Sequence, residues 1–106
     1  MPAMPDRNIT IALGETASVA FGTGQATRGS FQIPSDFTGA TVTFRVSNDG
    51  TTFTDCPVEG NESVSPTVAA NGTYSFPVKF FSFRYGQLVS GSAEAAARTI
   101  SCFLRD

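Results

Sequence analysis

Residues 41–54 read Thr41-Val42-Thr43-Phe44-Arg45-Val46-Ser47-Asn48-Asp49-Gly50-Thr51-Thr52-Phe53-Thr54, and their pattern decides the fold class. Val42, Phe44 and Val46 alternate with Thr41, Thr43, Arg45 and Ser47. In an extended chain successive side chains point to opposite faces, so one face here is apolar and the other wet. Asn48-Asp49-Gly50 then supplies residue types that tolerate positive φ, which a tight hairpin requires. The stretch predicts two antiparallel strands lying on one side of a core.

The same alternation recurs to either side. Ile9, Ile11 and Leu13 mark a first strand over residues 8–13, and Val19 and Phe21 mark a second over 18–21. Residues 30–33 read as a strand that ends at Pro34, which has no N–H to give a ladder. Val64, Pro66 and Val68 flank a short edge segment. Residues 73–76 lead to Pro77. Phe81, Phe83 and Tyr85 alternate with Ser82 and Arg84, predicting a further strand that Gly86 to Gly91 either continue or interrupt with a bulge. The run Ala93-Glu94-Ala95-Ala96-Ala97 favours helix but is too short to hold one alone, so it reads as a loop or single turn. Residues 98–104 form the last strand, with Ile100, Cys102 and Leu104 on one parity. About eight short strands, with turn signals about every 8–12 residues, predict an all-β, single-domain antiparallel β-sandwich or jelly roll over residues 8–106. An arm, residues 1–7, precedes it. The predicted core holds Val42, Phe44, Val46, Phe53, Phe81, Phe83, Ile100 and Leu104. Phe80 and Phe103 fall out of phase with their neighbours and are expected to point outward, where exposed rings would mark an interface.

The chain has 106 residues, ten of them Phe, with no Trp and no His. One core of this size needs neither metal nor disulfide. Without His, the chain lacks the side chain that titrates near neutrality and the commonest metal ligand, so a Ser-His-Asp or Cys-His system is excluded. Two cysteines fall short of a zinc site. A Cys56–Cys102 disulfide is open on spacing alone; a reducing compartment favours two free thiols, with Cys102 as a small buried core residue. The net charge is −2, and Arg7, Arg28, Arg45, Arg84, Arg98 and Arg105 are dispersed along the chain. No basic cluster is visible, so nucleic acid is not an expected partner. No apolar run approaches a membrane span, and residues 1–7 carry no signal-peptide core, so synthesis in a cytoplasm, or export by something other than its own signal, is expected.

Other motifs have plain structural readings. Asn48-Asp49-Gly50 with Asp55 is oxygen-rich, but its spacing matches no calcium loop and a hairpin turn explains it. Glu59 and Glu62 lie close together in a Gly/Asn loop, which reads as a solvated tip rather than a glycosidase pair. Gly22-Thr23-Gly24 lacks the third glycine and the helix of a phosphate cradle. No catalytic residue, metal or cofactor is expected.

Two segments carry a resemblance. Ser47-Asn48-Asp49-Gly50-Thr51-Thr52-Phe53 resembles the hairpin of discoidin-like, galactose-binding-type jelly rolls, and Phe83-Arg84-Tyr85 a later strand of that fold. The fuller pattern runs from Phe31-Gln32-Ile33-Pro34 through the hairpin to Ala95-Ala96-Ala97-Arg98-Thr99-Ile100. Over about residues 30–105 it looks like a group of small tailed-bacteriophage virion proteins. Phe53 stands where sugar-binding relatives favour Trp, and no aromatic-plus-acid sugar constellation is recognisable in the loops. The resemblance implies a non-enzymatic virion protein, a capsid decoration or cement protein that stabilises the head shell. The alternative is a carbohydrate- or receptor-binding module on a tail or fibre. The implied partners are the major capsid protein and copies of the chain itself, as a homotrimer, with a glycan only under the alternative. Expected contact residues are Met4 and Arg7 on the arm, and Phe80 and Phe103.

Overall fold

The fold is a sandwich of two antiparallel four-stranded sheets, as the alternation predicts, in a computed structural model that describes residues 7–105. The strands are β1 (Arg7–Ile11), β2 (Phe21–Gly22), β3 (Arg28–Gln32), β4 (Val42–Ser47), β5 (Thr54–Asp55), β6 (Thr73–Ser75), β7 (Tyr85–Ser90) and β8 (Arg98–Arg105). One sheet has the order β1-β8-β3-β6 and the other β2-β7-β4-β5. Neither sheet pairs sequential strands throughout, so each is closed by contacts distant in sequence.

The core lies between the sheets. Val42, Phe44 and Val46 of β4 face Ile100, Cys102 and Leu104 of β8 across it, all essentially inaccessible. Five rings fill the centre: Phe21, Phe31, Phe44, Phe76 and Phe80. Phe76 and Phe80 stack at 4.6 Å between centroids, and Phe31 meets Phe44 edge-on at 5.7 Å. Such offset and edge geometries suit the ring quadrupoles.

Four expectations are corrected. First, the strand expected from Phe81 begins only at Tyr85 and continues to Ser90, as β7. Pro77, with φ of −59°, opens a 3-10 helix over Val78–Ser82, closed by the Phe80 N–H donating to the Pro77 carbonyl at 3.0 Å. That turn swings Phe80 inward, to 0% exposure, so it is a core ring and not an outward contact. Phe81 and Phe83 are only half-buried at the margin of the core. Second, β4 and β5 are joined by residues 48–53 rather than by a tight turn. Only Gly50 there has positive φ, at 78°, and Phe53 ends half-buried instead of in the core. Third, β1 stops at Ile11, because the chain turns at Gly14 (φ 79°), and Leu13 is left 67% exposed. Val19 is likewise exposed at 58%, since Ser18 takes the inward place. Ser18 bridges to Ile11, and Ala17 to Val89, so this short hairpin ties one sheet to the other. Fourth, Arg7 belongs to β1, opposite Cys102, and not to the arm; Met4 lies outside the described residues.

Candidate functional site

The outer face of the β1-β8-β3-β6 sheet is built from the residues that the core rejects. Cross-strand partners share a face, so the register gives its rows directly. Arg105 lies opposite Arg28. Phe103 lies opposite Ser30, which in turn lies opposite Ser75 of β6. The next row runs from Ser101 through Gln32 to Thr73. The face is thus a field of short hydroxyl and amide side chains. One half-buried ring and a pair of guanidinium groups stand at one end.

At that end lies a shallow depression of about 270 Å³, lined by Arg28, Gly29, Ser30, Ser75, Phe103 and Arg105. Gly29 forms its floor: a Cβ there would come within 3.0–3.1 Å of Leu104, the Phe103 carbonyl and Phe81, so a side chain at this position would press on its neighbours. The Arg105 Nη1 donates to the Leu104 carbonyl at 2.7 Å, which folds that guanidinium over its own strand. Sequence reading missed this pairing because Arg28 and Arg105 stand far apart in the chain. Only the β3–β8 register brings them together, and that register was not read from the sequence.

The other candidates resolve into structural roles. Asp49 Oδ1 accepts from the Thr51 and Thr52 N–H groups, both at 2.9 Å, and from the Ser47 hydroxyl at 2.8 Å. Those donors, Thr52 first, pull its carboxyl down to about 2. The aspartate therefore fixes the turn. Glu62 Oε2 accepts from the Val78 N–H at 2.9 Å, and its Oε1 from the Glu59 N–H at 3.0 Å, so the pair holds a loop to the 3-10 helix. Both cysteines are free and buried. Burial pushes the Cys56 thiol up to about 11, with Glu62 adding to the effect. It pushes Cys102 up to about 12 against the opposing pull of Arg7.

One group escaped sequence reading altogether. Glu94, in the run taken for a loop, is 1% exposed. Its carboxylate accepts from the Thr38 N–H (2.9 Å), the Gly39 N–H (3.0 Å), the Ser90 hydroxyl (2.7 Å) and Arg98 Nε (3.0 Å). Arg98 Nη1 reaches on to Asp36 at 2.9 Å. Burial by itself raises the Glu94 pKa, but these donors together outweigh it and hold the group below the ordinary value. Its backbone is engaged as well, with Glu94 N–H donating to Glu15 and Gly14 N–H donating to Glu94. The carboxylate is a structural knot at one end of the sandwich, fully occupied by its own fold. The visible signal was a lone acid amid alanines with Arg98 four residues on, at a spacing usually read as a helix surface pair.

Another depression lies at a loop end, lined by Gly22, Thr23, Gly24, Arg84 and Tyr85. Thr23 there is buried, and its hydroxyl donates to the Phe83 carbonyl at 2.6 Å, so the glycine loop is tied down by β7's approach. No family model, no curated protein and no solved structure matches the chain.

Proposed function

We propose that this chain is a non-enzymatic structural protein of a tailed-phage particle, a decoration protein that attaches to the assembled head shell as a symmetric trimer and stabilises it. The observation that carries this reading is the outer face of the β1-β8-β3-β6 sheet, with its rows of Ser, Thr and Gln around Phe103. Ser and Thr side chains lose little rotamer freedom on contact, so the hydroxyl rows of this face dock at low entropic cost. The resemblance over residues 30–105 supplies the particle. A closed trimer presents the same patch three times, and multivalent contact multiplies a weak single-subunit affinity. The rival sugar-binding reading calls for a concave loop-end pocket with Tyr, Asn and Asp. The loop-end depression offers Tyr85 and Arg84 among small residues, so support goes to the sheet face.

A protein that binds only the assembled shell stabilises it by mass action. Heads lacking this protein should release DNA at a lower temperature than complete heads, and added purified protein should restore the difference. Equal robustness of both, with the protein found at the tail tip, overturns the decoration reading and favours receptor binding.

A further inference from the structure

We infer that the open edge of β6 takes an extended segment of the shell protein as an added strand, with an aliphatic side chain of that segment seated in a slot beside it; this rests on the decoration reading. The main-chain register carries the argument. In an antiparallel pair, residues that exchange hydrogen bonds alternate with residues whose N–H and C=O point away. The Phe76 N–H donates to the Gly29 carbonyl at 3.0 Å, and the Ile33 N–H to the Gly72 carbonyl at 2.9 Å. Phe31 lies opposite Tyr74, midway between those two bonds, so the alternation makes these two a hydrogen-bonded pair as well. Thr73 and Ser75 therefore turn their N–H and C=O groups away from β3. β6 is the last strand of its sheet, and neither N–H finds an acceptor among the described residues. Two donors and two acceptors thus stand along an open edge, the template to which an extended peptide adds.

A slot of about 170 Å³ adjoins that edge. Phe44, Phe76, Pro66 and Pro77 give it an apolar lining, and Glu62 and Ser75 belong to it too. Residues of an added strand opposite Tyr74 and Phe76 share their inward face, so they turn toward this space. The volume is below the ~300 Å³ at which small-molecule pockets begin, and it suits an aliphatic side chain. The choice of partner follows from position and charge. Ser75 and Thr73 end the hydroxyl rows of the outer face, so the edge is continuous with the surface proposed to meet the shell. At the slot, Glu59 and Glu62 set two carboxylates against Lys79 alone, which favours a segment carrying a lysine or arginine. A second copy fits less well. Pairing β6 with its own like leaves each Tyr74 and Phe76 in its own core, and both slots stay empty.

The test has two arms. In the first, isotope-labelled protein is titrated with the blocked peptide Val-Lys-Val-Thr-Thr. Two controls run in parallel: the same peptide N-methylated at its second and fourth residues, which removes two main-chain donors and keeps every side chain, and one with aspartate in place of both valines. The inference predicts saturable shifts confined to the amides of residues 62–65 and 73–76, with slowed exchange of the Thr73 and Ser75 N–H groups. Both controls should leave the spectrum unchanged. No shifts there, or shifts as strong with either control, overturn it. In the second arm, wild-type and Ser75→Pro proteins are cosedimented with purified shells. Proline is tolerated on an edge where the lost N–H faces outward, and thermal unfolding verifies the fold. Retention should fall roughly tenfold in Ser75→Pro, about what one main-chain bond is worth. Amide exchange of the wild type gives the same answer without the variant: Thr73 and Ser75 should be unprotected in the free protein and slowed at least roughly tenfold on shells. Shell binding that leaves these two amides unprotected overturns the added strand and leaves the decoration reading standing. Failure of the wild type to bind shells overturns that reading, and the peptide arm alone then decides whether the edge takes a strand.

Discussion

Phe80 and Gly86 are two halves of one packing solution. Phe80 enters the core from the 3-10 helix, and Gly86 on β7 leaves the space its ring occupies. A Cβ at Gly86 would collide with the Cζ edge of the Phe80 ring. The ring is stacked on Phe76 and cannot swing away cheaply. Gly86→Ala should therefore destabilise by about 1–3 kcal/mol through overpacking, measurable as a lower urea midpoint. Phe44 is the complementary case. It is 1% exposed and touches Phe31, Phe76 and Phe80, so Phe44→Ala should cost about 3–5 kcal/mol. An unchanged midpoint in either variant contradicts the packing described. The thiols give a third residue-level expectation. Denatured, unreduced protein should titrate two thiols, and the native protein should react with neither at neutral pH, because both are buried and hold their protons. A denatured count of zero contradicts the free-thiol assignment.

At the scale of elements, the Glu94 knot decides whether the ends of the sandwich stay closed. The loop before β4, the end of β7, the start of β8 and the turn after β1 all meet at this residue. Removing the carboxylate leaves Arg98, itself largely buried, without its inner partner. Glu94→Ala should cost about 3–5 kcal/mol, the usual range when one member of a buried pair is lost. The sign of the pH dependence follows from the lowered pKa. The ionised form is the one the fold stabilises, so the contribution is complete above the ordinary value of 4.5 and is lost as pH falls through the lower folded value. The stability gap between wild type and Glu94→Gln should be constant near neutrality and shrink below pH 4.5. A gap that widens on acidification contradicts the assignment of Glu94 as a buried anion.

The elements also show what was legible in the sequence. β4 and β8 were read correctly because strict alternation of Val42, Phe44, Val46 and of Ile100, Cys102, Leu104 leaves one buried face. β7 runs in the opposite phase to the Phe81–Phe83–Tyr85 alternation upstream of it. Its inward residues are Gly86, Leu88 and Ser90, and two of the three carry no apolar signal. The rings upstream of it supplied a false one. Pro77 held the necessary information, since it starts the 3-10 turn that puts Phe80 rather than Phe81 inside. Leu13 and Val19 misled for a different reason: periodicity extends a strand on paper past the point where a glycine turn ends it. The groove and the Glu94 knot were illegible because each depends on residues far apart in the chain, Arg28 with Arg105 and Glu94 with Thr38 and Gly39. Strand order, which pattern alone does not give, makes them neighbours.

The sandwich as a whole offers one hydroxyl-rich sheet face, which under the proposed function meets a shell and repeats that contact by symmetry. Its core and its Glu94 knot consume the rings, thiols and buried acid in holding the fold. The face around Phe103, with its rows of Ser, Thr and Gln, is left to solvent or to a partner. The measurement that reaches this claim most directly is the copy number of the chain in purified particles, determined by quantitative mass spectrometry relative to the major capsid subunit. Decoration through a repeated face predicts a fixed, stoichiometric ratio to that subunit, with all copies on DNA-filled heads separated from tails. A handful of copies per particle, confined to the tail fraction, would contradict it.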